Sequence, residues 1–302
     1  MTTVLVIEGS ADPHQLTQAL PGVRVEVLDR LPAASHPAVA AVVRSGTRLS
    51  AHHLDRLPAL RHVVRPGSGT DNIDLPALAA RGVNLHRNPA ANAAAVAEWT
   101  LLAALSLTRR VALGHNGLIA GRHLKAACLG PHLAEQRLAI WGAGPVGLAI
   151  GQALGPAVKN LAYAAWPSNP PHLPQRPAEL LAGWADLHVV ALPLRETTRA
   201  AFNPPWLAEA GRHRPALICV GRVETLDLPA CLDALDADTL SGLAIDAIDP
   251  EHVASLTRLG EPRNLLLTPH VGAQRADVRR VLDHWAAQTL RTALLAGRGE
   301  GG

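Results

Sequence analysis

The sequence predicts an α/β protein made of two doubly wound parallel-sheet, Rossmann-like domains. Three observations carry this. Short apolar runs alternate with longer Ala-rich, helix-compatible stretches along the chain, the rhythm of parallel sheets with helices on both faces. A turn of spaced glycines, Gly142-Ala-Gly144-Pro145-Val146-Gly147, stands between an apolar strand and an apolar helical stretch. The 302 residues, 48% of them hydrophobic, exceed one ordinary domain and suffice for two cores.

In chain order, Thr3–Glu8, Val23–Leu28, Ala38–Val43, His62–Arg65 and Val83–His86 read as strands, with helical segments at Leu49–Leu57 and Leu75–Arg81. A long apolar helix comes next, from Ala93 to about Leu113, with Asn92 placed to cap it. Gly- and His-rich sequence from Gly114 to Pro131 then breaks the pattern. Strands resume at Leu138–Trp141, Leu161–Ala165, Leu187–Leu192, Ala216–Val220, Gly242–Ile245 and Leu265–Leu267. Val278, Val281, Leu282, Trp285 and Leu290 repeat at helical spacing over Ala276–Leu295. The expected division is a domain of residues 1–97 plus 273–302 and a dinucleotide-binding domain of residues 98–272.

Composition excludes several classes. No apolar run reaches the ~18 residues of a membrane span, since Glu98 interrupts the longest, Ala93–Leu107. The net charge is +3 without a basic block, so neither a nucleic acid nor a membrane is expected as partner. Three scattered cysteines, Cys128, Cys219 and Cys231, form no disulfide framework, and the 15 histidines form no tight ligand motif. The first residues, MTTVLVIEGS, read as a strand and not a secretion signal. The expectation is a metal-free cytoplasmic protein.

The glycine turn has the context of a dinucleotide fingerprint. Gly142 permits the tight turn, Gly144 lets backbone approach a pyrophosphate, and Gly147 allows close helix–strand contact. Pro145 suits a first helical turn, and the helix N-terminus around Val146 offers N–H groups to phosphate. The next strand ends in Ala165-Trp166, where an acidic residue would bind the adenosine ribose of NAD. Ser168, Asn169 or Arg176 would suit a 2′-phosphate instead, and Trp166 would cover the adenine, so NAD and NADP both stay open.

Further motifs come in order: Val42-Val-Arg-Ser45, Gly67-Ser-Gly-Thr-Asp-Asn-Ile-Asp74, Asn88-Pro-Ala-Ala-Asn92, Val96-Ala-Glu98, Ala191-Leu-Pro-Leu194, Leu217-Ile-Cys-Val-Gly-Arg222, Gly242-Leu-Ala-Ile-Asp246, Pro250-Glu251 and Thr268-Pro-His-Val-Gly272. Together they resemble the D-2-hydroxyacid dehydrogenase family, in particular its D-3-phosphoglycerate dehydrogenase pattern without the regulatory domain. The resemblance implies NAD(P)-dependent hydride transfer at C2 of a small 2-oxo or 2-hydroxy acid, an interdomain cleft, and a homodimer through the cofactor domains.

It also implies roles for particular residues. Arg222 would hold the substrate carboxylate and 2-oxo oxygen with its guanidinium fork. His270 would exchange a proton with the C2 oxygen, and Glu251 would fix and raise that imidazole. Leu192, Pro193, Val220, Gly221, Asp246 and Gly272 would line the cofactor. Ser68 and Gly69 would bind the substrate carboxylate, and Arg44 would reach an anionic phosphate or phosphonate at C3. Arg65 and Lys125 match other basic positions.

Pro145, Ala191, Val223 and Glu224 depart from the family pattern; the last two replace glycines beside Arg222. A glyoxylate/hydroxypyruvate reductase, a phosphite dehydrogenase and a cofactor-sensing binding protein on this fold are the alternatives.

Overall fold

The computed structural model describes residues 1–256, 259 and 261–296. They form two compact units: Met1–Asn92 with the described residues from Arg275 onward, and Ala93–Gln274.

The first unit runs β1 (Thr3–Ile7), α1 (Pro13–Ala19), β2 (Arg24–Leu28), β3 (Ala40–Val42), α2 (Ala51–Asp55), β4 (His62–Arg65), α3 (Leu75–Ala80) and β5 (Asn84–Arg87). Its parallel sheet has the order β2-β1-β3-β4-β5. Side chains alternate across it: Leu5, Ile7 and Val63 meet Leu49, Leu54 and Leu78 on one face, while Val4, Val6 and Val64 meet Leu16 on the other. Asp12 starts α1 by accepting from the His14 and Gln15 N–H groups, and Asp74 starts α3 through Ala77 N, each with proline in the first turn.

The second unit contains α4 (Ala93–Thr108), α5 (Val111–Ile119), β6 (Arg137–Trp141), α6 (Pro145–Leu154), β7 (Asn160–Ala164), β8 (Gln175–Arg176), α7 (Ala178–Leu181), β9 (Leu187–Val190), α8 (Pro204–Ala210), β10 (Ala216–Cys219), α9 (Leu228–Asp236), β11 (Gly242–Ile245), α10 (Val253–Leu256) and β12 (Leu265–Leu267). Its seven parallel strands are ordered β12-β11-β10-β9-β6-β7-β8. The winding reverses between β6 and β9, the place where such sheets bind ligands beyond their carboxyl ends. The last helix, α11 (Ala276–Ala296), belongs to the first unit and packs Ala286 and Leu290 onto its sheet.

Three local expectations need correction. The single helix over 93–113 is two helices, because Arg110 adopts a left-handed backbone (φ 52°) between α4 and α5; α5 then runs through Gly114 to Ile119, where sequence suggested a break. Asn92 does not cap α4: its Oδ1 is buried without a hydrogen-bond partner. Short β8 was missed because two residues between prolines carry no periodicity.

His188, in β9, is fully buried. Its Nδ1 accepts from Trp141 Nε1 at 3.2 Å, and its ring packs edge-on to Trp206 at 4.9 Å. Burial pushes its pKa down to about 3. The unfolded chain therefore takes up this proton from about pH 6.5 downward, and the folded chain does not until near pH 3. Its contribution to stability is intact above pH 6.5 and falls by about 1.4 kcal/mol per pH unit below. Urea unfolding at pH 7 and pH 5 should show this loss, and His188→Leu should shrink it. An unchanged pH dependence in the variant would contradict the assignment.

Candidate active site

All strands of the second unit run parallel, so the segments leaving their carboxyl ends share one edge of the sheet. The glycine turn leaves β6, Ala191–Pro193 leaves β9, Val220–Arg222 leaves β10, Asp246 leaves β11 and Thr268–Gly272 leaves β12.

The three glycines of the turn do different work. Gly142 has φ +112°, and a Cβ there would lie 2.8 Å from the Ala191 carbonyl oxygen. A Cβ on Gly147 would lie 1.8 Å from the Gly142 carbonyl oxygen, so α6 closes onto the strand end only with glycine. Gly144 is different: a Cβ there meets nothing within 4 Å, although backbone crowds the other two. No side chain caps α6, whose first residue is Pro145. Open space at an uncapped helix N-terminus leaves room for a pyrophosphate to approach the backbone. Tyr163 of β7 steadies α6 from below, its hydroxyl donating to the Gly147 carbonyl at 3.3 Å.

The Arg222 segment lies directly beside the Leu192 backbone, since a Cβ on Gly221 would fall 2.4 Å from the Leu192 carbonyl oxygen. Arg222 is half-buried, and its Nη1 donates to the Gly221 carbonyl at 3.0 Å. The two replaced glycines cause no strain. Val223–Thr225 form a 3₁₀ turn without positive φ, Val223 enters the core, and the Thr225 hydroxyl donates to the Arg222 carbonyl at 2.7 Å. Burial pushes the Cys219 thiol beneath this turn up to about 11, so it stays protonated.

His270 is half-buried and held in a left-handed conformation, φ 58°. The buried Asp246 clamps its segment: the carboxylate accepts from Thr268 Oγ1 at 2.6 Å, Val271 N at 2.8 Å and Gly272 N at 2.8 Å. A Cβ on Gly272 would fall 2.6 Å from this carboxylate. Asp246 thus has a visible structural duty, which sequence reasoning had not assigned to it.

Glu251 lies in the 3₁₀ turn Pro250–His252 with its side chain 76% exposed and its carboxylate 3.9 Å from His252 Nε2. Glu224, Glu251 and His252 bring ligand-type atoms within 4.8 Å of one another. No sequence motif marks this grouping, because Glu224 is far from the other two along the chain.

In the first unit, Arg44 Nε donates to the Ser10 carbonyl at 3.0 Å, and its buried Nη2 has no partner. Burial and the nearby Arg279 push the Arg44 pKa down, against Asp283. The Ser68–Gly69 turn is braced by Arg87, which donates to the Ser68 carbonyl at 2.9 Å. Arg65 lies so close beneath that a Cβ on Gly67 (φ +140°) would fall 2.1 Å from its Nη1. Lys125 is exposed at the start of a 3₁₀ turn in the second unit. Trp166 is 67% exposed just beyond β7.

A parallel doubly wound sheet with an uncapped, glycine-lined helix N-terminus at its switch point defines a dinucleotide-binding domain. Residues 101–272 match the family model of the D-isomer specific 2-hydroxyacid dehydrogenase NAD-binding domain, and the chain belongs to that family. It is 28% identical over 84% of its length to D-3-phosphoglycerate dehydrogenase 2 of Arabidopsis thaliana, covering 42% of that protein. It is likewise 28% identical to hydroxypyruvate reductase of Thermotoga maritima, over 79% of each chain. The chain spans about half the length of the phosphoglycerate dehydrogenases it matches. An NADPH-dependent glyoxylate/hydroxypyruvate reductase of Sinorhizobium meliloti, solved with NADP and malonate, superposes with a TM-score of 0.81 at 26% identity, covering 96% of this chain and 92% of that one.

Proposed function

We propose that the protein reduces a 2-oxo acid to a D-2-hydroxy acid with NADH or NADPH, or runs the reverse reaction. The observation that carries this is the shared carboxyl edge, where the glycine turn with its open Gly144, Arg222 and the clamped His270 segment all leave strands of one sheet. When bound, the dinucleotide supplies or accepts the hydride. The glycine turn and the α6 N-terminus hold its phosphates, and the Leu192–Pro193, Val220–Gly221 and Gly272 backbone lines it.

Arg222 binds the substrate carboxylate and 2-oxo oxygen, keeping C2 oriented and favouring negative charge as it develops on oxygen. His270 gives a proton to that oxygen in reduction and takes one in oxidation. Glu251 favours the charged imidazole, so Glu251→Gln should move the high-pH limb of kcat/KM for reduction to lower pH by about one unit. No shift of that limb would remove Glu251 from the role. Water exclusion during transfer completes the scheme.

The substrate we favour carries an anionic group at C3, read by Arg44, with Ser68–Gly69 at the carboxylate. A buried guanidinium nitrogen without a partner is costly unless an anion meets it. Comparing phosphohydroxypyruvate, hydroxypyruvate and glyoxylate tests this. Arg44→Ala should cost the phosphorylated acid about 10–100-fold in kcat/KM and leave glyoxylate nearly unchanged. Equal losses on all three would overturn the assignment.

We further propose a homodimer through α4 and α5, where Leu102, Leu105, Val111, Leu118 and Ile119 are exposed. Light scattering of Leu118→Arg against the parent protein tests it; a monomeric parent would contradict it. Cytoplasmic residence is part of the same reading, supported by three free cysteines. Among the described residues no helix is long and apolar enough to cross a membrane.

A further inference from the structure

We propose that His62 and His86 form a binding site for a divalent transition-metal ion on the sheet of the first unit. The site is independent of the dehydrogenase chemistry proposed above.

No spacing motif links these two histidines, which stand 24 residues apart. The parallel pairing of β4 with the edge strand β5 brings them together. His86 lies in register with Val64, and His62 stands two residues before Val64 in the same strand. Alternation therefore puts both imidazoles on the Val64 face, the side onto which α11 packs. His62 Nδ1 and His86 Nε2 face each other across 3.2 Å, with the ring planes tilted by 42°.

That separation is the bite of a chelated ion. Two nitrogens, each ~2.0–2.1 Å from a tetrahedral zinc, lie about 3.3 Å apart. Without an ion, one ring donates its proton to the other. The outer nitrogens, His62 Nε2 and His86 Nδ1, have no protein partner among the described residues. Each can carry its own ring's proton, which frees both facing lone pairs for a metal. Burial holds both imidazoles below the ordinary histidine pKa, with His86 and Arg61 adding to the effect at His62. Neutral imidazole is the form that ligates. An all-nitrogen pair suits Zn²⁺, Ni²⁺ or Cu²⁺, whereas Mg²⁺ and Ca²⁺ take oxygen ligands. Water completes the coordination shell.

The bound ion cross-links the edge strand to its neighbour. β4 leads into the Ser68 turn, and β5 ends in Arg87, which braces that turn. Metal at the histidine pair thus steadies the two strands that present it.

Calorimetry and thermal unfolding test the site without turnover. The intact protein, freed of metal by a chelator, is titrated with Zn²⁺, Ni²⁺ and Mg²⁺ and melted with and without each ion. His62→Asn and His86→Gln are the informative variants. Their amides reach the positions of the facing ring nitrogens and keep a hydrogen bond there, but they lack the imidazole lone pair. Each variant, and the double variant, should remove the same single equivalent of Zn²⁺ or Ni²⁺, by weakening it at least about a hundredfold. The rise in melting temperature that this equivalent gives should vanish with it. The metal-free melting temperature should stay within about 2 °C, and Mg²⁺ should give no response that depends on either residue. Loss of the equivalent in only one variant, or Zn²⁺ and Ni²⁺ isotherms identical in variants and parent, would overturn the site and leave a hydrogen-bonded pair. Dinucleotide binding should be the same in all four proteins, so the fate of this site leaves the dehydrogenase reading untouched.

Discussion

Gly144→Val is expected to weaken both NADH and NADPH by at least about a hundredfold, close to 2.8 kcal/mol, in a protein that still folds. Gly144 has ordinary φ (−73°) at the head of α6, and a Cβ there touches nothing within 4 Å. Valine consequently meets neither backbone strain nor a clash in the ligand-free chain, and the melting temperature should move by no more than about 2 °C. The same open space is where a pyrophosphate needs backbone contact, and a branched side chain fills it. Gly147→Ala makes the contrast. Its Cβ falls 1.8 Å from the Gly142 carbonyl oxygen, so this smaller change should lower the melting temperature itself. Titration and thermal unfolding of the two variants separate the roles. Undiminished binding by Gly144→Val would mean that the turn is only structural.

The second large effect is on chemistry. His270→Asn should lower kcat by about 10²–10⁴-fold with dinucleotide affinity unchanged. Asparagine is the informative replacement because it tolerates the left-handed backbone found there, so lost activity cannot be traced to a rearranged segment. In the parent protein, reduction needs the protonated imidazole and should fall as pH rises through its pKa, while oxidation should fall as pH drops through it. His270→Asn should abolish both limbs. Asp246→Ala should reach a similar rate loss by another route. It strips partners from the Val271 and Gly272 N–H groups and the Thr268 hydroxyl, at about 1–3 kcal/mol for each buried group left unsatisfied. Stability should therefore fall along with activity, unlike in His270→Asn.

Much of this was legible in the sequence, for a physical reason. Parallel strands buried on both faces are continuous apolar runs; His62–Arg65, Gly242–Ile245 and Leu265–Leu267 coincide with their strands, and the neighbours differ by a residue or two. The glycine turn was legible because close backbone packing leaves a residue-type signature. The break at Arg110 was not, since a left-handed arginine inside an apolar stretch has no compositional mark. Nor was the His188 cage, which joins Trp141, Phe202 and Trp206 from separate elements. Asp246 announced itself as a strand-end carboxylate, but its hold on the His270 segment depends on β11 and β12 being neighbours. The Ser10 contact of Arg44 and the Glu224–Glu251–His252 grouping are equally products of tertiary folding.

The most direct test of the central claim is product analysis. The protein is incubated with NADPH or NADH and a panel of 2-oxo acids. Loss of the reduced nicotinamide absorbance is matched against the hydroxy acid formed, resolved by chiral chromatography. The account predicts one D-2-hydroxy acid per dinucleotide oxidised, and no product with His270→Asn. Tight dinucleotide binding with no oxidation by any 2-oxo acid, or an L-configured product, would contradict it.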